Sequence, residues 1–263
     1  MSSTGVGIVV VWIVGQQIYF DKQQAGQVII EEPMSKILTV RDLNVNLDGQ
    51  SILKNLSFDL DAGEGLAIIG PNGSGKTVLL KTLLGIIPHQ GEINWASDAR
   101  LGYVPQKIEA DRHLPLNVRN LLEAKADVLN LPDKEIKTAV EMVGLAPQIL
   151  RTPIGHLSGG QFQKALIAFA LLGKPNVLLF DEPTASLDQL AEEHIYDLVR
   201  DLQEKQGLTI ILVSHELSVV YSHADKVLCL NREGLCFGAP REALTPEVLN
   251  RLYASPKHHH HEH

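Results

Sequence analysis

The residues best suited to chemistry lie in a glycine-rich segment that ends in a lysine and a threonine. Positions 70–77 fit the pattern G-x-x-x-x-G-K-[S/T], and the candidate phosphate-binding residues are Gly70, Pro71, Asn72, Gly73, Ser74, Gly75, Lys76, Thr77 and Val78. Glycines let the backbone curl so that successive N–H groups point at phosphate oxygens, and the start of the following helix adds partial positive charge. We expect Lys76 to neutralise the β- and γ-phosphates and the Thr77 hydroxyl to ligate Mg²⁺. A plain turn before a helix does not explain the lysine and threonine at this offset, so the segment predicts a nucleotide site.

An acidic pair, Asp181 and Glu182, follows the apolar run 177–180. If that run is a strand of an open α/β sheet, both carboxylates emerge at its carboxyl edge, where such sheets bind ligands. Asp181 is suited to hold Mg²⁺, and Glu182 to orient and deprotonate an attacking water. An acidic pair alone is typical of a helix start, but together with the segment 70–77 it predicts phosphoryl hydrolysis.

Apolar runs and helical patterns alternate in the elements that must position these residues. The short apolar runs 66–69, 177–180 and 209–213 read as strands, and apolar positions recur at helical spacing in 78–84 and 190–202. This alternation predicts a parallel sheet covered on both faces.

Segments outside that core have other patterns. Residues 37–60 alternate with a period of two around Asp48-Gly49, which predicts an antiparallel hairpin, and residues 227–237 form a second candidate hairpin. Residues 107–154 are mainly helical and are broken by three prolines, and Thr245-Pro246 is suited to start a last helix.

Composition excludes several classes of protein. The 263 residues carry 23 Lys and Arg against 31 Asp and Glu, a net charge of −8, so no nucleic-acid partner is expected. The longest apolar run, residues 6–14, falls short of the ~20 residues that a membrane-spanning helix needs. Two cysteines cannot make a disulfide framework, and we expect Cys229 and Cys236 to be small buried hydrophobic residues near each other across the second hairpin.

The segment Leu157-Ser158-Gly159-Gly160-Gln161 adds specificity. Together with the segment 70–77 and the acidic pair, it resembles the nucleotide-binding subunit of ATP-binding-cassette (ABC) transporters over residues 37–253. The resemblance implies an α/β fold with a P-loop NTPase core of ABC type, an antiparallel β subdomain and an inserted helical subdomain. It also implies ATP and Mg²⁺ as cofactors.

The resemblance assigns roles to further residues. Gln106 corresponds to the glutamine that senses Mg²⁺ and the transmembrane partner, and His215 to the histidine that contacts the γ-phosphate. The loop Ser186-Leu187-Asp188 corresponds to the one that crosses between subunits.

Ser158 and the backbone of Gly159 and Gly160, with Gln161, are expected to form an anion-binding nest at the start of a helix over residues 162–172. In the family this nest closes on the γ-phosphate of ATP bound to a second copy of the chain. The resemblance therefore implies a head-to-tail dimer with two ATP molecules between its subunits.

We expect residues 1–34 to form a poorly ordered N-terminal extension, 35–254 the ATP-binding domain with its helical subdomain at about 107–157, and 255–263 a histidine-rich tail. Four positions depart from the family pattern. Leu47 replaces an aromatic residue that stacks on adenine, Val78 replaces a hydroxyl near the α-phosphate, and Lys164 and Phe169 stand where arginines are frequent.

The sequence indicates the transported cargo less directly than it indicates the ATPase activity. Residues 103–124 and 227–253 resemble the branch that imports zinc, manganese or iron. The tail 258–263 is either a loose divalent-metal ligand set or a purification tag. We therefore expect a metal importer ATPase at the cytoplasmic face of the membrane, working with permease subunits and a metal-binding solute receptor.

Three alternatives stay open. The first is an ABC ATPase for a different cargo. The second is a non-transport ABC protein of DNA repair or translation, disfavoured by the single cassette and the net charge of −8. The third is an inactive interaction module, which the intact Lys76, Asp181, Glu182 and His215 argue against.

Overall fold

The computed structural model describes residues 8–13, 16–21, 29–30, 35–106, 116–184 and 187–253. Ser186 and the histidine-rich tail lie outside the described residues. The chain divides into two units, residues 1–36 and 37–263. In the first unit, strands β1 (Ile8–Ile13), β2 (Gln16–Asp21) and β3 (Ile29–Ile30) form a small antiparallel sheet. The prediction of a poorly ordered extension at 1–34 stays a prediction.

The larger unit is organised around a nine-stranded sheet with the order β7-β4-β5-β12-β11-β6-β10-β9-β8. Its strands are β4 (Lys36–Leu47), β5 (Gln50–Asp61), β6 (Gly65–Ile69), β7 (Gln90–Trp95), β8 (Leu101–Val104), β9 (Val177–Asp181), β10 (Thr209–Val213), β11 (Lys226–Asn231) and β12 (Glu233–Gly238). The helices are α1 (Lys76–Leu83), α2 (Val118–Val128), α3 (Asp133–Met142), α4 (Gly159–Leu171), α5 (Gln189–Gln206), α6 (Leu217–His223), α7 (Pro240–Ala243) and α8 (Pro246–Tyr253).

The centre of the sheet is parallel and fully covered. Strands β6, β9 and β10 run parallel to their neighbours, and every residue in them is buried. In β9 and β10 the side chains alternate between two apolar clusters, so that Leu178 and Phe180 join one while Val177 and Leu179 join the other. In β6, Leu66 and Ile68 join the second of these clusters, and Ala67 and Ile69 join a third. This is the arrangement that the three apolar runs predict, because a parallel strand buried on both faces needs no polar positions.

Residues 116–157, which lie within the predicted helical subdomain, are mainly helical. Helices α2 and α3 are followed by two short 3₁₀ helices, Pro147–Arg151 and Ile154–His156. Asn117 caps α2: its side-chain oxygen accepts a hydrogen bond from the backbone N–H of Asn120, and the Asn120 side-chain oxygen accepts one from the backbone N–H of Asn117. Within the described residues, no helix is long and apolar enough to cross a membrane.

Two expectations need correction. The helix after the signature segment (157–161) begins at Gly159 rather than at 162, because Ser158 is its N-cap and accepts a hydrogen bond from the backbone N–H of Gln161. The two cysteines are not separate buried hydrophobic residues. Cys229 and Cys236 are cross-strand partners in β11 and β12, with Cα atoms 4.8 Å apart, and they form a disulfide.

Three hydrogen bonds connect β5, β7 and the turn between β11 and β12 with α1 and the loop before it. The backbone N–H of Arg232, in the turn between β11 and β12, donates to Ser74, and the Arg232 carbonyl accepts from Lys54 of β5. On β7, the Trp95 indole N–H donates to the carbonyl of Leu83, the last residue of α1, over 3.0 Å. Elements far apart in the chain therefore contact both the loop before α1 and the last residue of α1.

Candidate functional site

Strand order brings the candidate residues to one edge of the sheet. Strands β6, β10, β9 and β8 are parallel neighbours in that order. Their carboxyl ends lead respectively to Gly70, His215, the pair Asp181-Glu182 and Gln106. In the register, Val213 of β10 lies opposite both Ile68 and Asp181, so these strands end at the same level. Four segments far apart in the sequence therefore meet at the edge where open α/β sheets bind ligands.

The phosphate loop (residues 70–77) depends on its glycines. Gly73 and Gly75 have φ angles of 77° and 102°, in the left-handed region that favours glycine. Gly70 is needed because another part of the backbone lies close to it. A Cβ atom at this position would be 2.0 Å from the Leu230 carbonyl oxygen of β11. Helix α1 then begins at Lys76, so its first N–H groups face the loop.

The Lys76 ammonium is buried and points back into the loop. Its Nζ atom donates to the carbonyl oxygens of Gly70 at 2.9 Å and Pro71 at 3.2 Å. The same atom lies 3.8 Å from Oε1 of Glu182. Its partners are thus two neutral carbonyls and one more distant carboxylate, and phosphate oxygens are stronger acceptors for an ammonium than carbonyls are.

Asp181 is 3% exposed and has two hydroxyl neighbours. Its Oδ1 accepts from the Thr77 hydroxyl at 3.0 Å, and its Oδ2 accepts from the Tyr103 hydroxyl at 3.4 Å. Burial is the main cause that raises the pKa of Asp181 above its ordinary value. Burial and then the charge of Asp181 raise the pKa of Tyr103 to about 12, so this phenol remains a donor at neutral pH.

Glu182 is held from two sides. The Gln106 amide Nε2 donates to its Oε2 at 2.8 Å, while Lys76 approaches the other carboxylate oxygen. Its backbone has a φ of 47°, which is uncommon for a residue with a side chain. Such strained residues cluster at functional sites, where the surrounding structure holds them in place.

His215 follows β10, the strand between those that end at the phosphate loop and at Asp181. Its side chain is exposed, whereas the preceding Ser214 is buried and accepts a hydrogen bond from the backbone N–H of Glu216 at 3.1 Å. The structure therefore places His215 at the same edge as Glu182 and fixes it through its neighbours in the chain.

The signature segment lines a separate cavity. This cavity of about 420 Å³ lies outside the phosphate loop. It is lined by Gly144, Leu145, Ser158, Gly159, Gly160, Gln161, Lys164, Leu187, Asp188, Ala191, His194 and Ile195. Ser158 and Gln161 exchange hydrogen bonds in a capping box. The N–H groups of Gly159 and Gly160 lie in the first turn of α4, where backbone N–H groups have no partner within the helix. Asp188 also borders the cavity and caps α5 by accepting from the Ala191 N–H at 2.9 Å.

The four departures from the family pattern have definite places. Leu47 and Val78 are partly buried against the apolar cluster that contains Val177 and Leu179. Lys164 borders the signature cavity, so a cation is present where the pattern expects an arginine. Phe169 lies beneath the Lys125 ammonium, 5.0 Å from its ring centre.

Two residues of the site were missed by sequence reasoning. Tyr103, which contacts Asp181, stands three positions before Gln106, and that closeness was the available signal. Arg232, which holds Ser74 through its backbone, gives no signal at all, because any residue has an N–H.

Comparison with known proteins finds a matching family model, similar proteins and similar solved structures. A family model described as "ABC transporter" matches residues 53–185. The zinc import ATP-binding protein ZnuC of Brucella abortus (strain 2308) is 37% identical over 235 residues, which cover 86% of this chain and 78% of that protein. The protein of the same name from Jannaschia sp. (strain CCS1) is 36% identical over 220 residues, covering 83% and 89%. Among solved structures, an inward-facing ABC transporter described as of the metal-chelate type matches with a TM-score of 0.76 and 30% identity, over 85% of this chain and 90% of that one.

Proposed function

The chain belongs to the ABC transporter family of ATP-binding proteins, and from that premise we propose that it powers the import of a divalent metal, with zinc as the first candidate. The family match and the relatives identify it as an ATPase subunit that binds nucleotide and energises transport. Relatives that are 35–37% identical over most of the chain are named zinc import proteins, and this supports the choice of cargo.

The observation that carries the proposal is the meeting of the phosphate loop with the acidic pair. In the proposed reaction, Lys76 exchanges its carbonyl partners for β- and γ-phosphate oxygens. Glu182 receives the proton of the attacking water, with Gln106 orienting its carboxylate at 2.8 Å. His215, which follows β10 between the strands that lead to the phosphate loop and to Glu182, contacts the γ-phosphate.

The donor atoms at this edge fit Mg²⁺. The Thr77 hydroxyl and the Asp181 carboxylate lie 3.0 Å apart, and the Gln106 side chain is held against Glu182, the next residue, through its amide nitrogen. Oxygen donors with a single carboxylate suit an ion that keeps several waters and binds substrate phosphates. When bound, Mg²⁺ would neutralise the charge that develops on the phosphates, and a cation beside buried Asp181 would lower the pKa that burial raises.

The active unit that we propose is a pair of these chains, related head to tail. The phosphate loop and the signature cavity are two separate sites on one chain, and the cavity offers the Ser158 hydroxyl and two glycine N–H groups. In a head-to-tail pair, each cavity closes on the γ-phosphate held by the partner's phosphate loop, and Asp188 lies at the same junction.

Family members work with membrane permease subunits. We place this chain at the cytoplasmic face of the membrane, bound to a permease through the groove beside Gln106 and the helical subdomain. A soluble metal-binding receptor delivers the cargo to that permease in the proposed assembly.

The test is ATP hydrolysis by the chain assembled with its permease, measured with a receptor loaded with zinc, manganese, iron or no metal. We expect zinc-loaded receptor to stimulate hydrolysis the most. The Glu182→Gln variant is the matched control, because it keeps the size and hydrogen-bonding shape of the side chain while removing the base. It should bind ATP and abolish stimulated turnover. Stimulation by a non-metal cargo and by none of the metals would refute the proposed cargo, and undiminished turnover in the variant would refute Glu182 as the base.

A further inference from the structure

The end of the β11–β12 hairpin contacts the phosphate loop through its backbone. The Leu230 carbonyl oxygen lies so close to Gly70 that a Cβ atom there would be 2.0 Å from it. Two residues further on, the Arg232 N–H donates to the Ser74 carbonyl oxygen at 3.1 Å. Because both contacts are made by backbone atoms, they depend on the path of the hairpin rather than on its side chains.

The Cys229–Cys236 disulfide closes this part of the hairpin into a covalent ring. The ring encloses residues 230–235, which include both residues that contact the phosphate loop. Cys229 is also the register partner of Ile69, which directly precedes that loop, so one end of the ring lies beside the strand that leads into it. The register of β11 and β12 shifts just after Cys229, so the regular ladder is interrupted within the ring. The disulfide is therefore the covalent constraint on the segment that contacts the loop.

The two cysteines differ in exposure. Cys229 is 0% exposed within an apolar cluster, whereas Cys236 is partly exposed. Cys236 also lines a cavity of about 430 Å³, together with Asn55 and Ser57 of β5 and Phe237 of β12. A thiol that enters this cavity can reach Cys236, while Cys229 stays buried behind it.

We infer that Cys229 and Cys236 form a thiol–disulfide exchange site that a dithiol reductant opens, and that this opening weakens ATP binding at the phosphate loop. The inference rests on residues 70–77 being the ATP site of the proposed function. Disulfides of cytosolic proteins are usually transient and serve catalysis or redox sensing. At the proposed cytoplasmic location the bond meets thiol reductants, so its state follows the redox conditions around the protein.

The exchange passes two electrons and two protons from the dithiol to the cysteine pair. A thiolate of the reductant attacks Sγ of Cys236, the bond between the cysteines breaks, and Cys229 leaves as a thiolate that takes up a proton. The second thiol of the reductant then loses its proton and attacks the reductant's own sulfur in the mixed disulfide. This step releases Cys236, which is protonated in turn. The products are two cysteine thiols and the disulfide of the reductant, and an oxidised dithiol reverses the sequence.

Reduction acts on the phosphate loop through the freedom of residues 230–235. It leaves the two backbone contacts possible but removes the bond that limits the path of the segment that makes them. The loop then loses part of the support that holds its N–H groups in place for phosphate, and a less preorganised site binds more weakly. We expect Kd for a non-hydrolysable ATP analogue to rise about fivefold, which is the effect of losing about one hydrogen bond.

The test is calorimetric titration of the full chain with that analogue and Mg²⁺, first with the disulfide intact and then after reduction by dithiothreitol. The double variant Cys229→Ser with Cys236→Ser is the matched control. It should bind the analogue as weakly as reduced wild type does and should not respond to dithiothreitol. Equal affinity of oxidised and reduced wild type would overturn the inference, with or without a folded double variant. A response of the double variant to the reductant would overturn it as well.

Single variants show which sulfur reacts. Treated with glutathione disulfide, Cys229→Ser should form a mixed disulfide at the accessible Cys236. Cys236→Ser should stay unmodified, because its remaining cysteine is buried. Mass spectrometry of the intact chain measures both, and modification of Cys236→Ser but not of Cys229→Ser would overturn the assigned exchange site.

Amide hydrogen exchange separates this inference from the proposed function. Without nucleotide, reduction should speed exchange in the phosphate loop and in residues 230–235, and it should leave exchange in β9 unchanged. Unchanged exchange in the phosphate loop overturns the coupling whether or not the chain hydrolyses ATP. Faster exchange on reduction, in a chain whose oxidised form does not bind the ATP analogue, would instead refute the phosphate loop as the ATP site.

Discussion

Ser158 combines two functions that substitution can separate. As N-cap of α4 it accepts a hydrogen bond from the Gln161 N–H at 3.2 Å, and in the proposed dimer it also contacts the partner's γ-phosphate. Ser158→Ala removes both functions. Ser158→Asp retains the cap, since aspartate is as good an N-cap as serine, but brings a negative charge to the phosphate.

The expected magnitudes follow from this geometry. Loss of an N-cap costs ~1 kcal/mol, which is about 2–4 °C in Tm for a chain of this size. Ser158→Asp should lie within about 0.5 kcal/mol of wild type, because the helix N-terminus favours a negative charge. For the rate of ATP hydrolysis, the order of the two Ser158 variants is the reverse of their order in stability. Two unit charges 4 Å apart near a protein surface repel by ~4 kcal/mol, so Ser158→Asp should hydrolyse ATP at least about tenfold more slowly than Ser158→Ala.

The assays are thermal unfolding of the isolated chain and stimulated ATP hydrolysis in the assembled transporter. Asn117→Ala is the control, because Asn117 caps α2 in the same capping-box geometry but lies away from the signature cavity. It should be destabilised as much as Ser158→Ala and keep its activity. The reasoning is refuted if Ser158→Asp is the less stable of the two Ser158 variants, or if it is the more active one.

Two further predictions concern the phosphate loop and the acidic pair. Because burial raises the pKa of Asp181, wild type loses stability as pH rises from the unfolded-state pKa of this group through its higher folded-state pKa. Asp181→Asn lacks that loss, so its Tm, measured in EDTA without nucleotide, should exceed that of wild type by an amount that grows from acidic to neutral pH. The variant should not hydrolyse ATP. A Tm below that of wild type at neutral pH would contradict the stability prediction. Gly70→Ala puts a Cβ atom 2.0 Å from the Leu230 carbonyl oxygen, so it should lower stability by about 1–3 kcal/mol and weaken ATP binding, both measured by thermal shift with and without nucleotide. Wild-type stability in that variant would contradict the close packing of β11 on the loop.

Sequence reasoning could name those parts of the candidate site that are local to one segment. Lys76 and Thr77 stand at a fixed offset from the loop glycines, and Asp181 and Glu182 follow a run of four apolar residues. Those patterns fix which strand ends carry the chemistry, and the parallel arrangement of the core then brings the ends together.

Contacts that depend on strand order could not be predicted in this way. Tyr103 reaches Asp181 only because β8 lies beside β9. The Cys229–Cys236 disulfide depends on register, which shifts by a bulge between Cys229 and Leu230, and spacing alone does not place the bulge.

The indole of Trp95 gives the protein an optical probe of its own. It is hydrogen-bonded to the last residue of α1, an eight-residue helix about 12 Å long whose first two residues are Lys76 and Thr77. If α1 shifts when its N-terminal end binds phosphate, the shift reaches the Trp95 indole at its C-terminal end and changes the surroundings of this fluorophore. With Trp12→Phe, the remaining tryptophan allows nucleotide capture and release to be timed by stopped-flow emission, without any attached dye.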